Sequence, residues 1–332
     1  MNGLPPLRYL AASDVAAAMP PLPERLAMAE RVLLGLAGGA QLPPKIGVHP
    51  RPAASFAHAM PALLPGRAAD GSADRLGMKW VSGNPANNAA GLPGIYGVLL
   101  LNDPITTAPV AIMDAGQITA ERTAATSGVV IRAFAPRTGP GDVRHAALIG
   151  AGVQGRSHVP VLGYVLPGVS LSVFDRDPGR AASLASVARA TEGIGEVRVT
   201  ASAREAVEGS GVVVTVASFV SPPERQVMTN AWLDPSALVV PVDYATYCAA
   251  EVARDAGLFV VDHVAQFLAN RDAGNFDGYP DPAGAIGEAL ARGRPAGRVV
   301  ATHLGTGLAD VVFGSAILAE AVSRGMGTML AR

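Results

Sequence analysis

Three glycines in one short segment have the spacing of a phosphate-binding turn. Gly150, Gly152 and Gly155 form a GxGxxG pattern that follows the strand-like run His145 to Ile149 and precedes a helical segment. In such a turn the first glycine permits a sharp bend, the second lets the backbone approach a pyrophosphate, and the third lets the helix pack on the strand. The helix N-terminus then offers free N–H groups to the anion. The segment therefore predicts a dinucleotide-binding turn.

An acidic residue follows at the distance that a dinucleotide-binding unit needs. The next strand-like run, Leu171 to Phe174, ends at Asp175, which lies twenty residues after Gly155. A carboxylate there accepts hydrogen bonds from the adenosine ribose hydroxyls and repels a 2′-phosphate, which favours NAD over NADP. The adjacent Arg176 is the one feature that would accommodate a phosphate. The alternative for Asp175 is a structural role as the cap of the following helix.

The composition restricts the remaining function classes. The 332 residues are 49% hydrophobic and 16% charged, which is enough for two ordinary cores. A net charge of -1 and six scattered histidines give no field that would attract nucleic acid or an anionic membrane surface. Cys248 is the only cysteine, which excludes an internal disulfide and a cysteine-based zinc site. We expect a small-molecule substrate and no metal.

The N-terminal segment does not have the pattern of a secretion signal. Its apolar stretches are interrupted by prolines and by Asp14, Glu24 and Arg25. No later run reaches about 18 uninterrupted apolar residues, the length that a membrane-spanning helix needs. These features, together with the single cysteine, predict a soluble, cytoplasmic protein.

Hydrophobic patterns divide the chain into successive stretches. Residues 11–36 carry two helical segments, and residues 45–113 carry short apolar runs broken by Gly, Pro and Asn, which predict a hairpin-rich antiparallel sheet. A helical segment covers residues 118–134. From His145 onward, strand-like and helical runs alternate, which predicts a parallel sheet with crossover helices. A closing helix is predicted from Leu304. The fold class is therefore α/β.

Three sequence blocks resemble the ornithine cyclodeaminase and mu-crystallin superfamily. They are GMKWV with the following GNPANN, ITAERTAAT, and the glycine turn together with Asp175. The resemblance covers nearly the whole chain and implies a dimeric NAD(P) enzyme acting at the Cα–N bond of an amino or imino acid. It also implies a discontinuous α+β domain for substrate binding and dimerisation, residues 1–125 completed by 304–332. A Rossmann NAD-binding domain with a doubly wound parallel sheet, residues 126–303, lies between these segments.

The resemblance assigns catalytic and substrate-binding roles to four charged residues. Lys79 matches an active-site lysine that holds the substrate carboxylate and polarises the reacting centre. Arg122 matches an arginine that reaches both the substrate carboxylate and the cofactor. Lys45 falls where many members carry a carboxylate-binding arginine; it keeps the charge without the planar fork. Asp243 matches a catalytic aspartate. It follows an apolar strand, where burial raises the pKa of a carboxyl group and favours proton transfer.

Lys79, Arg122 and Asp243 also have an ordinary structural alternative. Lys79 would be an exposed surface lysine, Arg122 a helix-surface arginine, and Asp243 a common strand-end turn residue.

The resemblance also implies the cofactor contacts on the loops that follow the parallel strands. The full set comprises Arg122, Gly150, Gly152, Val153, Gln154, Gly155, Asp175, Ala217 and Ser218. Val153 and Gln154 match positions that touch the pyrophosphate, and Ala217 and Ser218 match the loop near the nicotinamide ribose. The chain departs from the family pattern after Asp243, because Tyr247 stands where members often carry a lysine and Glu251-Val252 replaces the usual Glu-Leu spacing.

A second departure bears on the substrate side chain. In the ornithine enzymes a glutamate precedes a Met-Pro pair and can pair with a distal ammonium, whereas this chain has His58 before Met60 and Pro61. Imidazole is neutral or cationic near pH 7 and is a poor counter-ion for an ammonium group. We therefore expect His58 and Met60 to contact a neutral, aromatic or acidic side chain. The alternative is a core histidine with a backbone partner.

Three functions are compatible with this pattern. The first is an NAD-dependent imine or ketimine reductase or amino-acid dehydrogenase, in which Asp243 or a water that it orients handles the proton. The second is an ornithine cyclodeaminase-type ammonia lyase that recycles NAD within each turnover; a net change in NADH separates these two. The third is a non-catalytic, cofactor-binding, crystallin-like protein. The joint presence of Lys79, Arg122 and Asp243 argues against the third.

Overall fold

The computed structural model describes residues 4, 6–52, 55–136 and 143–332. The chain divides into two compact units. The first unit comprises Met1–Arg122 and Gly305–Arg332, and the second comprises Thr123–Leu304.

The first unit is built on a seven-stranded sheet. Its elements are β1 (Leu7–Leu10), α1 (Ala12–Ala17), α2 (Leu22–Ala37), β2 (Ile46–Val48), β3 (Phe56–Leu64), β4 (Arg75–Gly83), β5 (Ile95–Asn102), β6 (Pro109–Asp114), the start of α3 (Gly116–Phe134), α10 (Gly307–Ser323) and β14 (Thr328–Leu330). The strand order is β14-β1-β6-β5-β4-β3-β2. Strands β2 to β6 pair antiparallel, which confirms the predicted hairpin-rich sheet.

Two short strands at the chain ends extend this sheet beyond the prediction. β1 pairs parallel with β6, and β14 pairs antiparallel with β1. The N-terminal part is therefore not only the helical lead-in that the pattern indicated. These strands have four and three residues, and runs of that length carry too little alternation to be read from sequence.

Strand β4 shows why one face of the sheet is buried. Gly77, Lys79 and Val81 are buried whereas Trp80 between them is exposed, as the two-residue period of a strand requires. The predicted closing helix, α10, packs on β3, β4 and β5. It begins at Gly307 rather than at Leu304, because the Thr306 side chain caps it by accepting the Ala309 N–H.

Among the described residues, no helix has the length and apolar character needed to cross a membrane.

The second unit is a seven-stranded, wholly parallel sheet with crossover helices. Its elements after α3 are β7 (His145–Ile149), α4 (Val153–Val165), β8 (Val169–Phe174), α5 (Pro178–Arg189), β9 (Ile194–Val199), α6 (Ala203–Val207), β10 (Val212–Thr215), β11 (Leu238–Pro241), α7 (Ala250–Arg254), β12 (Leu258–Val261), α8 (Val264–Asp272), α9 (Ile286–Leu290) and β13 (Val299–Thr302). The order β12-β13-β11-β10-β7-β8-β9 confirms the predicted doubly wound fold.

The centre of this sheet contains the point where the strand order reverses. β7 pairs with β8 on one side and with β10 on the other. Every residue of β10 and β11 is buried, so these strands appear in the sequence as continuous apolar runs. Ligands of such sheets bind outside the carboxyl ends of the strands at this switch point. The loops that follow β7, β10 and β11 lie at or next to this point.

Candidate active site

Lys79 is a buried cation in the first unit. It lies on β4 directly opposite Met60 of β3, and its side chain is 1% exposed. Its Nζ lies 2.6 Å from Asp310 Oδ2 and donates a hydrogen bond to Thr119 Oγ1 at 3.2 Å. Burial lowers the pKa of Lys79 well below its ordinary value, although the Asp310 carboxylate opposes that shift. Lys79 is therefore not the surface lysine that the sequence alone allowed.

Asp310, on α10, is a buried carboxylate that sequence analysis did not identify. Its Oδ1 accepts a hydrogen bond from Arg122 Nε at 3.0 Å, and its side chain is fully buried. Burial by itself would raise the pKa of Asp310, but the charges of Arg122 and Lys79 outweigh it and hold the pKa below its usual value. The available signal was one acidic residue in the apolar run GLADVVFGSAIL. Its partner Arg122 is 188 residues away, so no local pattern connects them.

Arg122 is held between Asp310 and a glycine turn. Its side chain is almost fully buried, so it is not a helix-surface arginine. Gly305 has a φ of +76°, and a Cβ at that position would lie 2.2 Å from Arg122 Nη1. Glycine is therefore required at residue 305 both for the backbone conformation and for the space that the guanidinium occupies.

His58 lies on the same face of the first sheet as Met60 and Lys79. It is on β3, two residues from Met60, and its ring stacks on Phe56 with centroids 4.7 Å apart. Burial, followed by the charges of Lys45 and His49, lowers the pKa of His58 to about 4. His58 is consequently neutral at pH 7. The charge of Lys45 also acts on Lys79, so the predicted substrate-binding residues of this unit lie near one another.

The glycine turn of the second unit has space where a pyrophosphate would bind. Gly150 has a φ of +110°, and a Cβ there would lie 2.8 Å from the backbone of Val216. A Cβ on Gly155 would lie 2.2 Å from the Gly150 carbonyl oxygen. A Cβ on Gly152, by contrast, would meet no atom within 4 Å. The fold therefore requires the first and third glycines, whereas the second leaves open space above the turn, which fits a bound dinucleotide.

The first turn of α4 has the features of an anion-binding helix start. The Gly152 N-cap supplies no side-chain hydrogen bond, so the first N–H groups of the helix have no capping side chain. Val153 is 69% exposed at this end. The Gln154 side-chain oxygen is buried and accepts no hydrogen bond from the residues that the structure describes. Both residues lie where the pyrophosphate contact is predicted.

Asp175 closes the glycine turn from the end of β8. Its Oδ2 accepts the Ala151 N–H at 2.7 Å, and its Oδ1 accepts the Asp177 N–H at 2.9 Å. The cap of α5 is Asp177, which accepts the N–H groups of Gly179 and Arg180. The structural alternative for Asp175, that it caps this helix, is therefore wrong.

Asp243 is a buried carboxylate with neutral partners. It follows β11, accepts a hydrogen bond from Thr215 Oγ1 at 2.8 Å and another from the Ala217 N–H at 3.1 Å. Burial raises the pKa of Asp243 to about 7, although these hydrogen bonds oppose the shift. A carboxyl group with this pKa can both release and accept a proton near neutral pH. The adjacent loop carries Ala217 and the exposed Ser218.

The two units thus carry different chemical capacities. The first carries two buried cations that share one carboxylate, and the second carries a glycine turn with open space above Gly152 and a carboxyl group with a raised pKa. Within the described part of the chain, no group of three or more His, Cys, Asp or Glu side chains is arranged to hold a metal ion.

Comparisons with known proteins agree on one family. Residues 17–304 match the model of the ornithine cyclodeaminase/mu-crystallin family. The nodulation efficiency protein NfeD of Rhizobium meliloti is 34% identical over 98% of both chains. The mouse ketimine reductase mu-crystallin is 30% identical over 66% of this chain and 63% of its own. The Thermococcus litoralis Δ1-pyrroline-2-carboxylate reductase, solved with NADH and L-proline, has a TM-score of 0.80 and 27% identity over 97% of this chain and 99% of its own.

The contrast among the glycines gives a matched pair of variants. We expect Gly152→Ala to fold with an unchanged melting temperature and to lose affinity for NADH by about tenfold or more, because its methyl group fills the open space. Gly155→Ala should instead lower the melting temperature, because its Cβ meets the Gly150 carbonyl. Differential scanning fluorimetry and NADH titration measure both effects. Wild-type NADH affinity in Gly152→Ala would contradict the assignment of this turn.

Proposed function

This chain belongs to the ornithine cyclodeaminase/mu-crystallin family, and from that membership we propose that it is an NAD-dependent oxidoreductase acting at the Cα–N bond of a small amino or imino acid. The observation that carries the proposal is Asp243, a buried carboxyl with a pKa raised to about 7 in the same unit as the glycine turn. The similarity to a mouse ketimine reductase and to a pyrroline-2-carboxylate reductase solved with NADH supports it.

The residues of the first unit recognise the substrate carboxylate. Lys79 and Arg122 supply the positive charge, and Asp310 compensates one of the two charges and keeps both side chains in place before substrate binds. An isolated pair of buried cations would be costly, whereas a shared carboxylate makes the arrangement stable. Lys45 adds a further positive charge at this site.

Asp243 donates a proton to the substrate nitrogen or accepts one from it. When bound, the nicotinamide cofactor supplies or accepts the hydride at the substrate Cα. In the reductive direction the protonated Asp243 gives its proton to the nitrogen of the C=N bond, directly or through a water. In the oxidative direction the carboxylate form removes that proton. Thr215 and the Ala217 N–H hold the carboxyl in position in both forms.

The neutral His58 favours a reductase or dehydrogenase over a cyclodeaminase. A cyclodeaminase acting on a diamino acid must bind a second ammonium, and an uncharged imidazole provides no counter-ion for it. We therefore propose a substrate whose side chain is neutral, aromatic or acidic. A purely cofactor-binding role would not require a carboxyl with a raised pKa in the position of Asp243.

An exposed apolar face of the first sheet supports a homodimer. Trp80 and Val98 are cross-strand neighbours on this face and are 44% and 46% exposed. Tyr96 on β5 and Tyr9 on β1 are also exposed. A contiguous apolar sheet face of this kind is typical of a protein–protein interface. We propose that it pairs with the same face of a second copy of this chain.

The position of Asp175 predicts the cofactor preference. The protein should bind NADH at least about tenfold more tightly than NADPH, because the carboxylate at the end of β8 repels a 2′-phosphate. Isothermal titration with each cofactor measures the ratio. A preference for NADPH would show that Arg176 determines the pocket.

The raised pKa of Asp243 predicts the effect of its replacement. Asp243→Asn should lower the rate by about 10² to 10⁴ while leaving NADH affinity nearly unchanged, because the amide keeps the shape and cannot exchange the proton. In the wild-type protein, reductive activity should fall as the pH rises through about 7, because Asp243 loses the proton that it gives and Lys79, whose pKa burial lowers to about 7, loses the charge that binds the substrate carboxylate. Rates over a pH series, with 2-oxo acids plus ammonia or methylamine, pyrroline-2-carboxylate and L-amino acids as trial substrates, measure both.

Asp262 provides a matched control for this variant. It is a second buried aspartate, directly after β12 of the same sheet, and Asp262→Asn should keep both the rate and its pH dependence. Lys79→Met should damage both binding and turnover, because it removes charge from the substrate carboxylate. A rate for Asp243→Asn within a few-fold of wild type would make Asp243 a strand-end turn residue only.

The proposed dimer is tested by placing a charge on the sheet face. The wild-type protein should have twice the 33.7 kDa mass of one chain, and Trp80→Glu should reduce it to the mass of a monomer. Leu34→Glu is the control, because Leu34 is 48% exposed but lies on α2 rather than on the sheet. Light scattering coupled to size-exclusion chromatography gives the masses. A wild-type monomer, or a dimer in Trp80→Glu, would contradict this interface.

A further inference from the structure

Ser127 joins two buried histidines in the second unit. Its Oγ lies 2.8 Å from His158 Nε2 and 2.9 Å from His303 Nε2, and all three side chains are buried. The Nδ1 of His158 lies 2.7 Å from the Gln154 carbonyl oxygen. The residues come from α3, α4 and the end of β13, so the chain of hydrogen bonds connects three elements that are distant in sequence.

Donor and acceptor rules, together with the lowered pKa of His158, give the direction of each hydrogen bond in this network. The Gln154 carbonyl only accepts, so His158 Nδ1 carries a proton. Burial lowers the pKa of His158 to about 4, so at neutral pH its Nε2 is unprotonated and accepts the Ser127 O–H. The Ser127 oxygen then accepts, and His303 Nε2 donates. The Nε2 atoms of the two histidines therefore have opposite roles: that of His158 accepts a hydrogen bond and that of His303 donates one.

The two ends of this hydrogen-bond network lie near the two places in the second unit where a dinucleotide is expected to bind. At one end, Gln154 belongs to the first turn of α4, above the glycine turn. At the other, His303 follows Thr302, whose Oγ1 donates a hydrogen bond to the Pro241 carbonyl at the end of β11. Asp243 is two residues further along that segment. Two sets of hydrogen bonds, joined through the backbone between Thr302 and His303, thus connect the first turn of α4 to the strand end before Asp243.

We propose that Ser127, His158 and His303 are positioning residues that set the distance between the pyrophosphate-binding turn and the strand end carrying Asp243. This inference rests on the proposed function, since it concerns a ligand that spans both places. A dinucleotide has its pyrophosphate at one end of that span and its reactive ring at the other. A change in the distance therefore weakens the binding of the dinucleotide. A ligand that occupies only the turn is insensitive to the distance.

The test compares a ligand that spans the site with one that does not. NADH and ADP are titrated into the wild-type protein, Ser127→Ala, Ser127→Cys and Ser210→Ala. Ser127→Ala should weaken NADH by about tenfold and ADP by less than about threefold. Ser127→Cys, which keeps the shape with a weaker donor, should give an intermediate NADH affinity. Ser210 is the control, because it is also buried and donates a hydrogen bond to the Ala206 carbonyl four residues before it; Ser210→Ala should bind both ligands as wild type does.

Histidine side-chain ¹⁵N NMR shows which ring nitrogens of His158 and His303 carry a proton, and it needs no ligand. In the wild-type protein, His158 should carry its proton on Nδ1 and His303 on Nε2, with assignments from single-histidine variants. Other tautomers, or equal NADH affinity in the wild-type protein and Ser127→Ala, would overturn this inference alone. Equal weakening of NADH and ADP would also overturn it, because it would mean that the turn itself is disturbed. A wild-type protein that binds ADP but not NADH would overturn both this inference and the proposed function.

Discussion

Burying a carboxylate requires either a cation beside it or a raised pKa, because the charged form loses its hydration in the protein interior. Asp310 has both Lys79 and Arg122, so it keeps its charge and orders the two cations. Asp243 has only neutral donors, so its pKa rises to about 7. The same constraint, resolved in two ways, gives the first unit a pair of buried cations around one carboxylate and the second unit a carboxyl group whose pKa is raised to about 7.

The parallel sheet places the groups of the second unit at one edge. Gly150 follows β7, Asp243 follows β11 and His303 follows β13, each directly after or close to the carboxyl end of its strand. Because all strands of this sheet run in the same direction, those ends meet on one side. The buried Ser127 then links helix α4 to the residue that follows β13, so these elements are held by side-chain hydrogen bonds as well as by the sheet.

The fold class and the family were predictable because their signals are local. The glycine turn and the apolar strands each fit within a few residues, and the comparisons confirm both predictions. Asp310 and the link through Ser127 were missed because each depends on residues that approach only after folding, such as Arg122 and His303. The neutral state of His58 was left open for the same reason, since burial decides it. The roles of the site residues remain predictions.

The most direct test of the proposed function is to trace the hydride that leaves NADH. NADH carrying deuterium at nicotinamide C4, prepared separately in each stereochemical form, is incubated with the protein and with imino acids such as pyrroline-2-carboxylate or 2-oxo acids plus methylamine. Mass spectrometry of the amino-acid product and the loss of NADH absorbance are recorded together. If the proposed function is correct, one form of NADH transfers deuterium to Cα, with one NADH consumed per product. Product without deuterium from either form, or ammonia released from a diamino acid without net NADH change, would contradict it.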